Sequence, residues 1–361
     1  MLLNFPIPFG LDLSDLSFKI MALKKKTFSN KIGFSLSAYG EASVPSGYFE
    51  KGEIVEMEKI AEIIKKLVRK PEFGKIYNPY VISVLPETKS FIKLAEIPIS
   101  EEENIPELIK EEIKKDIPIS IEEAYVDWQI ISQDSKKNVF KILIGIAPKD
   151  IIDNYTLLLK RAGLKPLAFE IESVAISRSL IAFNKKTHEK GLAILDLGAT
   201  RSSIIIFDED TLQYTSSIPI AGQEITNQIA AKLEISSDKA EKIKIACGLD
   251  NKKDKKIVTD VIKPFVEELT QKITDVMNFY QTQNNRKIGE ILLCGGSAGL
   301  KGLDAFLYKA LNTSDKEEKI KINIANPWVN TSFKTPPMPL FKSLAYTTAI
   351  GLALRGVSMK D

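Results

Sequence analysis

Ala193-Ile194-Leu195-Asp196-Leu197-Gly198-Ala199-Thr200-Arg201-Ser202 is the stretch on which the reading of the fold turns. An apolar, strand-forming run ends by delivering one carboxylate into a turn of small and hydroxyl-bearing residues. A phosphate clamp needs these features. Small residues let backbone N–H groups approach phosphate oxygens, Thr200 adds a hydroxyl donor, and Asp196 can hold Mg²⁺ through water. A plain polar hairpin whose aspartate bonds its own backbone would look similar, so the surroundings must decide.

Working outward, a related unit opens the chain: Phe9-Gly10-Leu11-Asp12-Leu13-Ser14-Asp15-Leu16-Ser17-Phe18-Lys19. Asp12-Leu13-Ser14 followed by Ser17 and Ile20 matches Asp196-Leu197-Gly198 followed by Ser202 and Ile204 in kind and nearly in spacing. The first copy is the less favourable jaw. Ser14 stands where glycine would allow closer approach, and Asp15 adds a negative charge that Mg²⁺ or Lys19 must offset. Either the second hairpin holds most of a triphosphate or Asp15 points away.

Further on, Glu290-Ile291-Leu292-Leu293-Cys294-Gly295-Gly296-Ser297-Ala298-Gly299 reads as a buried strand running into a glycine turn that opens a helix. Gly295, Gly296 and Ser297 can pass under a flat base or ribose without side-chain obstruction. Between the second hairpin and this turn, Glu241 and Lys244 lie three residues apart, so they share a helix face. They are candidates for ribose and base contacts, or equally a surface ion pair.

The remaining pattern is that of an α/β protein. Residues 8–13, 17–23 and 31–39 read as an antiparallel meander, and residues 53–70 as an amphipathic helix stopped by Pro71. Strands at 80–85 and 91–97, a charged helix at 101–116, and strands at 124–132 and 139–147 form an inserted α+β block. A helix over 149–162 and a strand over 166–171 return the chain to the first lobe, which ends near a helix at 174–183. The second half repeats the opening with strands at 191–197, 202–208 and 212–218. Helices at 223–233, 238–246 and 256–284, a strand at 287–294 and a helix from Lys301 follow. A closing helix at 341–355 has a small-residue face of Ala345, Ala349 and Ala353. The boundaries are 1–84 and 166–189 for the first lobe, 85–165 for the insert, 190–340 for the second lobe and 341–361 for the closing segment.

Composition excludes several classes. The 361 residues are 44% apolar, enough to bury two cores. Fifty basic against 47 acidic residues leave a formal charge of +3, so bulk charge implies no nucleic-acid partner. Cys247 and Cys294 lack metal-ligand spacing, and the single histidine, His188, sits in a lysine-rich polar stretch. The N-terminal residues lack the pattern of a signal peptide, and no apolar run is long enough to span a bilayer. A cytoplasmic chain that meets the inner face of the membrane through a partner is the expectation.

These segments, in this order, resemble the actin-like ATPase superfamily over nearly the whole chain. Within it they are most similar to the PilM family of type IV pilus assembly proteins, in the FtsA/PilM branch. The opening strand pair, Ala168-Phe169-Glu170-Ile171-Glu172-Ser173 and Ile218-Pro219-Ile220-Ala221-Gly222-Gln223-Glu224-Ile225-Thr226 carry that likeness together with the Gly295-Gly296-Ser297 turn. The resemblance implies a ribonuclease H-like, two-lobed fold with a duplicated mixed sheet and an FtsA/PilM-type insert. It also implies ATP and Mg²⁺ held at Asp12, Ser14, Lys19, Asp196, Gly198, Ala199, Thr200, Glu241, Lys244, Gly295, Gly296 and Ser297. Asp12 and Asp196 would take the metal through water, and Glu170 would orient an attacking water if weak hydrolysis occurs. The implied role is a scaffold that grips the cytoplasmic N-terminal peptide of PilN, a bitopic inner-membrane protein, beside other pilus platform proteins. An FtsA-like filament with self-association and a small-molecule kinase, in which Glu170 or Glu172 would take a proton from a substrate hydroxyl, are the alternatives.

Overall fold

The computed structural model describes residues 6–28, 31–99, 104–183, 190–249, 256–312, 318–331, 333 and 335–359. In the first lobe β1 (Phe9–Leu13), β2 (Ser17–Phe28) and β3 (Lys31–Ser43) form the meander, followed by a small hairpin of β4 (Phe49–Glu50) and β5 (Glu53–Ile54). Helix α1 (Met57–Arg69), β6 (Phe73–Gly74) and β7 (Tyr80–Leu85) complete the opening segment. All five residues of β1 are buried, as expected for a strand covered on both faces. Helix α1 buries Ile60, Ala61, Ile64 and Leu67 at helical spacing and stops ahead of Pro71. It begins four residues later than expected, because Glu53–Ile54 pair with Phe49–Glu50 around Lys51 and Gly52, both at positive φ.

The insert consists of β8 (Phe91–Pro98), α2 (Ile105–Asp116), β9 (Ala124–Asp134) and β10 (Val139–Pro148). Its three strands run in the order β8-β10-β9, and α2 closes them through Ile105, Ile109 and Ile113 into a core of their own. Helix α3 (Lys149–Arg161), grouped with the insert from sequence, packs instead in the first-lobe core through Ile151, Tyr155, Leu158 and Leu159. The separately packed unit therefore ends with β10.

Strand β11 (Lys165–Ile171) and α4 (Glu172–Leu180) lead to the second lobe. There β12 (Gly191–Leu197), β13 (Ser202–Asp208) and β14 (Thr211–Ile218) precede α5 (Gly222–Leu233), α6 (Ser237–Cys247) and the long α7 (Lys256–Asn284). Strand β15 (Ile288–Cys294), α8 (Leu303–Leu311) and β16 (Lys321–Ile324) follow. Helix α8 starts at Leu303 rather than Lys301, since Gly302 is left-handed at φ +80°. The closing segment divides into α9 (Leu340–Leu344) and α10 (Thr347–Ser358), separated by a turn at Ala345 and Tyr346, where one helix was expected. His188 lies outside the described residues.

Duplication is visible in the sheets. The first runs β11-β7-β1-β2-β3-β6 and the second β16-β15-β12-β13-β14. Each is an antiparallel meander extended from its first strand by two parallel strands, β7 and β11 or β15 and β16. Helix α4 joins the lobes: Ala175 belongs to the first core, and Ile176 and Leu180 to the second. Helix α10 lies close against it, since a Cβ on Gly351 would sit 1.8 Å from the Ala175 carbonyl oxygen.

Candidate functional site

Strand register fixes the two aspartates. Asp12 faces Lys19 across β1 and β2, and Asp196 faces Ser203 across β12 and β13. Each is the penultimate residue of its strand, so each leads into the turn of its hairpin. Both carboxylates line one cleft of about 230 Å³ between the lobes, together with Ser14, Lys19, Gly198, Ala199, Thr200, Gly295 and Gly296. Asp15 also borders it, but its Oδ1 accepts the Gly52 N–H at 3.2 Å, which ties it to the β4–β5 hairpin.

Crowding of acids governs the electrostatics. Burial pushes the Asp12 carboxyl up to about 6, opposed by Lys19 and reinforced by Glu172. Burial, then the negative charges of Glu172 and Asp12, push Asp196 up to about 7. The Cys294 thiol donates to Asp196 Oδ1 at 3.6 Å. Glu87, behind the cleft, is raised to about 7 by burial and by Glu172; Thr215 and Ser173 are within weak polar reach, but neither carboxylate oxygen has a hydrogen bond of normal geometry. Opposing this excess are Lys19, whose ammonium donates to Ser17 Oγ at 2.5 Å, and Arg201, paired with Glu172 at 3.1 Å.

The two central glycines have different duties. Gly295 sits at φ +86°, and a Cβ there would lie 2.4 Å from Asp196 Oδ1 and 2.6 Å from the Leu197 backbone nitrogen. Strand β12 thus packs directly on it. Around Gly296 nothing approaches within 4 Å of such an atom, which leaves its backbone open to the cleft.

Gly296 is shared with a second cavity of about 520 Å³ that carries Ser297, Glu241, Lys244, Ile245 and Phe341. Lys244 is buried and spent internally: its ammonium donates to the Gly222 carbonyl at 2.8 Å and to Thr226 Oγ1 at 2.9 Å, and pairs with Glu241 at 2.8 Å. The Thr226 hydroxyl also donates to Glu241. Lys244 therefore positions Glu241: of the two readings the sequence left open, the structure contains the ion pair, with the lysine end buried.

Glu170 is not brought to the cleft. Its side chain, 3% exposed, is held by Arg178 Nη2 at 2.6 Å and Arg355 Nη1 at 2.7 Å, and borders a different cavity. The residue that reaches the cleft is Glu172, because the chain turns from β11 into α4 between them. Of the two carboxylates weighed as a base in the kinase alternative, Glu172 is therefore the one at the cleft; Arg201 was missed as a site residue, and an arginine inside a phosphate-clamp run was the available signal.

That other cavity is a groove of about 700 Å³ between the insert and the first lobe. Ile92, Leu143 and Gly145 of the insert lie opposite Phe169, Ile171 and Val174 of the lobe, and a Cβ on Gly145 would lie 3.8 Å from Ile171 Cδ1. Tyr125 stands at the border, and Arg178 and Arg355 line the groove as well. Ile144 and Ile146 alternate to the other face and pack in the insert's own core.

Residues 10–357 match the family model of the type IV pilus assembly protein PilM. The chain belongs to the PilM family. Its PilM fold superposes on a solved PilM-PilN type IV pilus biogenesis complex with a TM-score of 0.80, at 22% identity over 98% of this chain and 99% of that one. Relatives include the cell division protein FtsA: that of Escherichia coli K12 is 21% identical over 76% of both chains, and that of Pseudomonas aeruginosa 36% identical over 27% of this chain and 23% of its own length. MreB5 of Spiroplasma citri bound to AMPPNP superposes at a TM-score of 0.52, with 12% identity over 96% and 94% of the two chains. The fold of this PilM-family chain is accordingly actin-like, and its role lies in type IV pilus assembly.

Proposed function

We propose that this chain is an ATP-binding scaffold that docks the cytoplasmic N-terminal peptide of a PilN-like bitopic membrane protein. The observation that carries the nucleotide half is the meeting of Asp12 and Asp196, from opposite lobes, in one cleft continuous through Gly296 with a nucleoside-sized cavity. The donor set fits a metal-bound nucleotide better than a free one. Among the described residues no cluster of three ligating side chains could hold an ion alone. Mg²⁺ ordinarily takes one or two carboxylates, waters and phosphate oxygens, and bound there it would neutralise the charge that the cleft's carboxylates otherwise repel. Asp12 and Asp196 would hold its water shell, Ala199 and the Thr200 hydroxyl would meet the phosphates from the turn that the Gly198 N–H closes onto the Arg201 carbonyl, and Gly295 and Gly296 line the floor of the cleft. MreB5, of the same fold, binds AMPPNP.

The peptide half rests on the groove. Its apolar walls come from two separately packed units, and the similar PilM is found in a complex with PilN. Among the described residues no helix is long and apolar enough to cross a membrane, so a cytoplasmic position at the inner face of the membrane would come through this partner. Hydrolysis is not needed for this role, and of the two carboxylates that a kinase reading offered as base, Glu170 is locked by two arginines and Glu172 is paired with Arg201.

Two titrations test the reading. Mg-ATP should bind the full chain with micromolar or tighter affinity and lose most of it in excess EDTA. A PilN-type N-terminal peptide should bind the wild type, and Tyr125→Ala, on the groove face of the insert sheet and largely exposed, should weaken it about fivefold or more without shifting the melting temperature. Absence of both binding events removes the proposal.

A further inference from the structure

Two large apolar side chains line the 520 Å³ cavity while remaining open to solvent: Phe341, 61% exposed, and Ile245, 56% exposed. They come from different elements. Ile245 follows Glu241 by one helical turn on α6, so both project from the same face. Phe341 stands in α9, whose Leu344 carbonyl accepts the Gly295 N–H at 3.2 Å, which couples its position to the glycine turn. The Phe341 ring rests against the bare backbone of Gly299, where a Cβ would lie 2.9 Å from Cδ1. The Cδ1 side of the ring is therefore backed by main chain.

We propose that Ile245 and Phe341 form an apolar slot that grips a purine base by its faces, and that the slot does not read the base's edge. This rests on the nucleotide reading above and adds its specificity. Adenine and guanine differ at the edge, where an amino donor replaces an oxo acceptor, and discrimination needs a fixed donor or acceptor opposite that atom. Among the described residues, the polar side chains that line the cavity are Glu241, Lys244, Ser297 and Lys301, and none supplies a donor or acceptor held for one purine edge alone. Lys244 is committed to Gly222, Thr226 and Glu241, and Lys301 has a partner of its own. Ser297 carries a hydroxyl that serves as donor or acceptor alike. Glu241 receives both of its bonds on Oε2, and Oε1 is an acceptor with the chemistry to take ribose hydroxyls. Stacking, by contrast, tolerates any base, because every base has a π face.

Titration of the full chain with Mg-ATP and Mg-GTP tests this. Wild type should bind the two within about threefold of each other. Phe341→Ala should weaken both by about tenfold, the loss expected for one base-stacking side chain, and leave the melting temperature unchanged because the ring is mostly exposed. Phe341→Trp should restore affinity and add a fluorescence change on binding. The slot is overturned if Phe341→Ala stays within twofold of wild type, and edge-blindness is overturned if wild type prefers one purine by more than about twentyfold. A wild type that binds neither nucleotide overturns the underlying nucleotide reading, a result distinct from either.

Discussion

Arg201 of the second lobe donates to Glu172 of the first across the cleft, Nη2 to Oε2 at 3.1 Å, with both side chains largely buried. Its charge acts on a group of acids that includes Asp12, Asp15, Glu87 and Glu172, so, beside Lys19, it both joins the lobes and offsets their repulsion. Arg201→Ala should cost about 2 kcal/mol, the loss of a charge-assisted hydrogen bond with its acceptor left buried. Arg201→Lys should recover part of that. Chemical denaturation of the three proteins checks the order; an alanine variant as stable as wild type would show that the pair contributes nothing across the cleft.

The carboxyls of Asp12 and Asp196, raised to about 6 and about 7, make stability depend on pH with a definite sign. A carboxyl whose folded pKa exceeds its unfolded value binds more protons when folded, so stability falls as pH rises through the folded value. Melting temperature of the ligand-free chain should decline between pH 5 and pH 8. Asp196→Asn should flatten that decline and raise the melting temperature at pH 8, while abolishing Mg-ATP binding. Scanning calorimetry across this range, with the asparagine variant alongside, measures it.

Gly295 and Gly296 are adjacent, yet alanine should affect them differently. At Gly295 the left-handed backbone and the contact with Asp196 should cost about 1–3 kcal/mol and displace the carboxylate. At Gly296 a methyl group meets nothing, so the fold should be untouched. Any loss of nucleotide affinity in Gly296→Ala would then report contact with the ligand itself. Melting curves and ATP titrations of both variants separate the two outcomes.

Glu170 anchors Arg178 of α4 and Arg355 of α10 beside the groove between the insert and the first lobe. Glu170→Gln leaves two guanidinium groups short of their counter-charge and should destabilise the chain by about 3 kcal/mol or more. Mg-ATP affinity at a temperature where the variant is folded should stay within twofold of wild type. A selective loss of nucleotide binding would instead return Glu170 to the cleft chemistry.

Much of the site was legible because it is carried by local pattern. An apolar strand ending in aspartate and a small-residue turn reads the same at Asp12 and Asp196, and register then places both at equivalent points of duplicated sheets. What local pattern could not supply was direction. Glu170 and Glu172 are two residues apart and chemically alike; only the bend from β11 into α4 sends one to a pair of arginines and the other to the cleft. The small hairpin that shortens α1 and ties back Asp15 likewise depends on Gly52 meeting a carboxylate 37 positions away.

The amino-acid sequence by itself determined the duplicated α/β architecture, the insert and the two aspartate hairpins, since strand period, turn chemistry and glycine placement act over a few neighbouring residues. Tertiary structure alone decided which acid faces the cleft, that Lys244 is spent on positioning Glu241, and that Phe341 and Ile245 line the same cavity. Those outcomes depend on charges and rings brought together from distant parts of the chain, where burial and Coulomb interaction, not local preference, set the result.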